Sequence, residues 1–328
     1  MKNNLDVTKG LLIALFLVVA AMLVPSASLS QARQLDDSGA QKAEPRTKDF
    51  NVGRGPEALA YDGANIWVAN QFSNSVTKLR ARDGSILGTF DTGSRPAALA
   101  YDGKCIWVAN QFSNNVMKLR ASDGAVLGTF QVGKRPVALL FDGSSIWVAN
   151  SQSDTVTKLR ASDGMKLGDF PVGSKPVALA FDKVNIWVAN NDSDNVTKLR
   201  ASDEADLGTF PAGSNPSGIA FDGSNIWVAN FYSKNVTRLQ AINGAIVDTY
   251  TVGHDPVGIT CAGGYIWVAN SGSRTISKVE PIHGIAVETF DVGKSPSGVI
   301  YDGSNIWVAN GSSNTVTKIN PSSASAVP

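Results

Sequence analysis

Reactive side chains are few in this chain, and where they fall narrows the chemistry. Two histidines occur in 328 residues, His254 and His283. His254 is followed by Asp255, and an imidazole beside a carboxylate is the minimal pairing for general acid–base work. A catalytic reading therefore centres on His254 and Asp255; the competing reading is a surface turn. Asp192-Ser193-Asp194-Asn195 spaces two carboxylates as a cation loop would. It lacks the following Gly and distal Glu of a calcium loop, so a solvated turn is expected. No nucleophile elbow, CxxC, HExxH or phosphate-loop motif occurs. No cofactor and no bound metal are expected.

A second set of side chains suits binding better than reaction. Arg54, Arg95, Lys134, Arg135, Lys175 and Lys294 fall in the pairs just before regularly spaced prolines. Phe72, Phe112, Phe231 and Tyr232 fall just after regularly spaced asparagines. Cations and aromatics together favour a protein, peptide or anionic small ligand. These stretches vary while the segments around them do not, which is the pattern of a binding face on a rigid scaffold. Neutral drift of solvent-exposed loops is the alternative.

The scaffold announces itself by repetition. IWVAN occurs seven times, beginning at Ile66, Ile106, Ile146, Ile186, Ile226, Ile266 and Ile306, always 40 residues apart. A fixed period near 40 marks a repeat fold in which no unit buries its apolar face alone. The second unit holds four short apolar or alternating runs: 97–101, 106–110, 116–119 and 126–132. Asp102-Gly103 and Asp123-Gly124 are hairpin dipeptides, and Gly133 and Pro136 punctuate the step to the next unit. The runs are short and rich in Trp, Val, Ile, Thr and Phe, so they read as strands. Four strands per unit describe a propeller blade, and the seven tryptophans are expected between blades.

In the first strand of each unit, large residues (Leu59, Leu99, Leu139, Leu179, Ile219, Ile259, Val299) alternate with small ones (Ala58 to Gly298). A large row facing a small row is what closely stacked sheets need. The last unit lacks its fourth strand. Lys48–Gly53 matches Gly88–Gly93 in frame, so a strand at about 47–52 is expected to complete it and close the ring. Closure removes a sheet edge. The fold class is therefore all-β, a seven-bladed β-propeller over residues 47–320, followed by a polar tail at 321–328. A basic residue recurs at one third-strand position, Lys78, Lys118, Lys158, Lys198, Arg238, Lys278 and Lys318. It is expected to form a solvated outer ladder paired with acidic neighbours.

The IWVAN-xxS-xxVTKL core, the DG after it and the VG-xx-P turn resemble the YVTN-type family of bacterial β-propellers. They are also similar to NHL-repeat and streptogramin-lyase (virginiamycin B lyase) propellers. The match covers residues 48–320. The resemblance implies that the VG-xx-P and AN-xxS loops lie on the top face around a channel, with both DG turns below. It would place the cationic and aromatic residues at the channel mouth, His254 on top and His283 on the bottom. It also implies that the lyases carry a Glu where this chain has Asn70, Asn110 and their equivalents, so acidic partners for a lyase are missing.

Outside the repeats, Lys2 and Lys9 precede an apolar run, Leu11–Val24, and small residues follow. This is the layout of a signal peptide over 1–32, with cleavage after Ala32, then a polar linker at 33–46. A periplasmic or secreted location follows, with no stable membrane span after cleavage. Removing residues 1–32 leaves 29 − 2 = 27 basic and 28 − 1 = 27 acidic residues. A balance near zero argues against nucleic-acid binding. Cys105 and Cys261 fall in units that are not neighbours, so two free thiols are expected. A monomeric, exported, non-enzymatic scaffold that binds a partner through its top-face loops is the leading expectation. A streptogramin-lyase-like C–O lyase or hydrolase centred on His254 is the second, and a structural envelope or surface protein the third.

Overall fold

The computed structural model describes residues 45–321, and all of them belong to one compact unit. The expected signal segment at 1–32, most of the expected linker and residues 322–328 lie outside the described residues. Among the described residues there are 28 strands and no helix. They form seven antiparallel four-stranded sheets, each built from consecutive strands except one. Blade one runs from Pro56 to Asp91, and blades two to six follow at the 40-residue period. The exception is blade seven, whose strands Pro296–Tyr301, Ile306–Asn310 and Thr315–Ile319 are joined by Thr47–Asn51 from the start of the chain. The chain is thus an all-β seven-bladed propeller closed by its N-terminal strand.

Blade stacking explains the second strand of each unit. Ile66, Trp67, Val68, Ala69 and Asn70 are all fully buried, on both faces. Alternation vanishes because twisted sheets cover both sides of each strand. Trp67 packs against Ile106, Val108 and Leu119 of the next blade. Trp307 packs in the same way on Ile66, Val68 and Leu79, so the last blade meets the first like any other pair. The aromatic of the fourth strand leans on the same indole, as in Trp67 with Phe90 at 5.5 Å. Around the channel the first strands pack even closer. A Cβ on Gly258 would lie 1.9 Å from the carbonyl oxygen of Ser297, and one on Gly218 would lie 2.3 Å from that of Val257. Only glycine fits there, which is the close approach foreseen from the small row.

Each indole is also clasped at its polar edge. Trp67 Nε1 donates to Asp62 Oδ2 at 2.8 Å, and the same bond recurs at Trp107, Trp147, Trp187, Trp227 and Trp307. The aspartate also accepts the amides of the turn that follows it, as Asp142 does from Ser144 and Ser145. Blade six differs. Ala262 stands in place of the aspartate, and Trp267 donates to the backbone oxygen of Ala262 at 3.2 Å.

The third-strand cations correct one expectation. Lys78, Lys118, Lys158 and Lys198 are buried, not solvated. Lys78 Nζ donates to the carbonyl of Ala121 in the next blade at 2.6 Å and lies 4.9 Å from the Trp67 ring centre. Lys118, Lys158, Lys198 and Lys318 reach carbonyls of the next blade in the same way, and Arg238 donates to Pro281. Carboxylates take part at Lys158, paired with Glu204, and more distantly at Lys118 with Asp102. The physical reason is the indole beside each cation. It faces the neighbouring blade and carries the ammonium into that interface, where the donor must find a carbonyl.

Candidate functional site

The chain runs down the first strand of a blade, up the second, down the third and up the fourth. Antiparallel pairing therefore brings the loop before each Pro and the loop after each Asn to the same rim. Hydrogen bonds lock the two loops together. The amides of Gln71 and Phe72 donate to the carbonyls of Gly55 and Arg54, and the amide of Arg54 donates to Ser73 Oγ at 2.7 Å. The amide-to-serine bond recurs in all seven blades. The serine of AN-xxS is thus a structural latch.

This latch sorts the pair before each proline. The first residue, as at Arg54, Lys134, His254 and Lys294, is exposed. The second holds a left-handed backbone, with φ of 55° at Arg95, 58° at Arg135, 55° at Lys175 and 60° at Asn215. In five blades its amide is capped by a side-chain oxygen of the preceding blade, as Arg135 is by Asn114 Oδ1 at 2.9 Å. The corresponding residues in blades five and six are Lys234 and Arg274, which cannot accept.

A cavity of about 350 Å³ opens at the channel mouth on this rim. Arg135, Lys175 and Asn215 line it, with Gln71, Gln111 and Asn191 beside them and Val137, Val177 and Val257 as apolar wall. Phe231 closes one side and meets Tyr232 edge-on at 5.4 Å. Lys175 pairs with Asp192 at 3.1 Å, both partly exposed. Asp194 accepts the amide of Asn215. The carboxylates of the Asp192–Asn195 segment are therefore engaged in loop packing.

Arg95 is held beside the cavity. It donates to Gln71 Oε1 at 2.8 Å. Its guanidinium lies 5.1 Å from the Phe72 ring centre and 4.7 Å from that of Phe112. The two exposed rings sandwich a cation that they also shield. Of the ten expected binding residues, Arg135, Lys175 and Phe231 share the cavity, while Arg95, Phe72, Phe112 and Tyr232 flank it. Arg54, Lys134 and Lys294 stand on the outer rim and do not line it. His254 and Asp255 do not line it either, and among the described residues no hydrogen bond joins the His254 ring to Asp255. His283 is at a bottom turn, 3.2 Å from Glu280.

One wall residue escaped sequence reasoning. Glu57 is the second residue of the first strand in blade one and lines the same cavity. The equivalent residues are Ala97, Val137, Val177, Ser217, Val257 and Ser297. Burial among protein atoms pushes the Glu57 carboxyl above its ordinary range, and the Arg95 charge partly opposes this. Reading this column across the repeats reveals a lone charge in an apolar and hydroxyl ring.

The thiols have no comparable setting. Cys105 and Cys261 are both free. Burial raises both, with nearby Asp102 and Asp222 adding to it, and pushes Cys261 up to about 12. Both are thus poor nucleophiles at neutral pH. Two cavities of about 390 and 580 Å³ lie on the opposite face beside Ala262, where the indole clasp is missing.

No family model matches the chain, and no curated protein matches its sequence. Solved structures do match. The chain is similar to hydrazine synthase of Kuenenia stuttgartiensis at 19% identity and a TM-score of 0.75, covering 83% of this chain and 98% of that one. It is similar to virginiamycin B lyase of Staphylococcus aureus at 18% identity and a TM-score of 0.73, covering 84% and 98%. A streptogramin B lyase structure matches at 19% identity and a TM-score of 0.72, covering 84% and 97%. At such identity the likeness is one of fold, and function must be argued from the site.

Proposed function

We propose that this propeller is an exported binding module whose site is the top mouth of its channel, and that its ligand carries an anion. The chain is read as a YVTN-type propeller on its repeat motif. The observation that carries the binding reading is the convergence of Arg135 and Lys175 on one cavity, with Gln and Asn side chains and a valine wall around them. Two cations at a concave site with low-dielectric walls focus field on an anion, and amides beside them supply oriented hydrogen bonds. Lys175 is held only by an exposed ion pair, worth about 0–1 kcal/mol, so it can turn to a ligand at little cost.

The test is thermal-shift and calorimetric titration of the mature domain with small carboxylates and inorganic phosphate at low salt. The expected result is a rise in midpoint for the native protein and none for Arg135→Gln with Lys175→Gln. Equal responses in both proteins would refute the site. Export is tested separately, by N-terminal sequencing of protein recovered from the periplasm or medium: a chain beginning at Arg33 supports it, an intact Met1 does not.

The lyase reading has no geometric support of its own. His254 stands outside the cavity, and the activity in the names of two similar structures does not transfer at 18–19% identity.

A further inference from the structure

The mouth holds charges of both signs that the fold leaves unspent. Arg135 makes no side-chain hydrogen bond or ion pair among the described residues, and Glu57 has no hydrogen-bond partner for its carboxylate there. Both line one cavity. Their positions in the ring are fixed by connectivity. Glu57 is on the first strand of blade one, while Arg135 and Lys175 precede the first strands of blades three and four. In a closed ring of seven, two blade steps carry Arg135 a little over a quarter turn from Glu57, and three carry Lys175 nearly opposite it. Val137 and Val177 follow the two cations on their own blades, Ala97 lines the cavity in the blade between them and Glu57, and Val257 lines it from blade six.

We propose that the mouth is built for a short zwitterion, with an ammonium group bound at Glu57 and a carboxylate at Arg135 and Lys175. This rests on the anion-binding reading above and deepens it by naming the ligand class. A carboxylate kept in an apolar ring is costly unless something compensates it. A half-buried wall residue without such a role would be expected to be Ala, Val or Ser, as in the six other blades. A cation delivered by the ligand supplies the compensation. An anion on the same molecule then meets Arg135 and Lys175 across the mouth, and the aliphatic spacer meets Ala97 and the valines. Arg95 offsets the Glu57 charge only in part and makes no ion pair with it among the described residues, since its fork is on Gln71 and its plane lies between Phe72 and Phe112.

The experiment is calorimetry with glycine, β-alanine, 4-aminobutyrate and 6-aminohexanoate, alongside butyrate, hexanoate and butylamine as single-charge controls. The expected result is that one spacing binds at least ten-fold more tightly than the acid of the same length. That advantage should disappear in Glu57→Gln and in Arg135→Gln, with circular dichroism and midpoint reporting that both variants fold. If the acids bind as tightly as the amino acids, the zwitterion inference falls and the anion site stands. If butylamine binds as tightly as the amino acids, Glu57 is a cation site alone and the inference falls. If no probe binds, both readings fall.

Discussion

Lys318 Nζ donates to the carbonyl of Ala81 at 2.9 Å, and this bond ties the last blade to the first. It is the same contact that Lys78 makes to Ala121 within the ring. The closing seam is therefore ordinary on its inner side, and what distinguishes blade seven is its borrowed outer strand. Phe50 in that strand stacks on Trp307 at 5.6 Å, Asp49 accepts from Thr317, and Arg46 pairs with Glu288 and covers Phe290.

Deleting residues 46–52 should cost far more than deleting residues 322–328. Losing Phe50 alone removes a half-buried ring stacked on Trp307, a part of the about 3–5 kcal/mol that truncating a core aromatic costs, and the new sheet edge is exposed. Urea unfolding of both truncations reads this out. Equal midpoints would mean that the N-terminal strand does not hold the ring closed.

The buried cations should matter as donors, not as surface charge. Lys118→Met keeps the aliphatic stem over Trp107 but removes the donor to Ala161 and Ser162, which lie 2.6 and 3.2 Å from Nζ. Leaving a buried carbonyl unpaired costs about 1–3 kcal/mol. The exposed Arg82→Met serves as control and should change stability by less than about 0.5 kcal/mol. A neutral Lys118→Met would restore the solvated-ladder reading.

The repeat made blades and closure legible because both depend on period and frame. Seven IWVAN units number the blades, and the Lys48–Gly53 match to Gly88–Gly93 marks the borrowed strand. The burial of Lys78 and its equivalents is not legible in the sequence because exposure of a third-strand residue depends on how near the next blade comes. That is a tertiary quantity which no single strand states. Glu57 was missed for a related reason. The columns that vary most lie in the loops, whereas Glu57 varies inside a strand that is otherwise uniform. Loop variation located the rim but could not say which of two adjacent residues turns inward. The folded ring shows it: Arg135, Lys175 and Asn215, the second residues of their pairs, line the cavity, and Lys134 does not.

The loop caps predict a gain. Asn74, Asn114, Asp154, Asp194 and Asn314 each accept an amide of the following loop, but Lys234 and Arg274 cannot. Both already hold left-handed φ, 56° and 58°, a region that Asn tolerates better than most residues. Lys234→Asn should cap Asp255 and Arg274→Asn should cap Ser295, each adding about 0.5–1.5 kcal/mol. Chemical denaturation of each variant checks this, and a loss of stability would show that these loops need their long side chains.

Two sets of carboxylates should give opposite pH dependences. At Asp62, Asp142, Asp182 and Asp222, burial acts to raise the carboxyl, but hydrogen bonds from the indole and the turn outweigh it and hold the group low. Their stabilisation is present above the unfolded value, near 3.9, and is lost as pH falls through the folded one. Glu57 is raised by burial, so a proton there favours the folded chain. Its effect is favourable below the unfolded value, near 4.3, and turns into a penalty as pH rises through the folded one. Urea midpoints from pH 3 to 8 should therefore separate the variants. Asp142→Asn should be less stable than the native protein at pH 7 and should lose less on acidification. Glu57→Gln should be more stable at pH 8 and converge with the native protein toward pH 3. A Glu57→Gln curve parallel to the native one across the whole range would mean that Glu57 is well solvated, and would remove the reason to seek a cationic group for it in the channel.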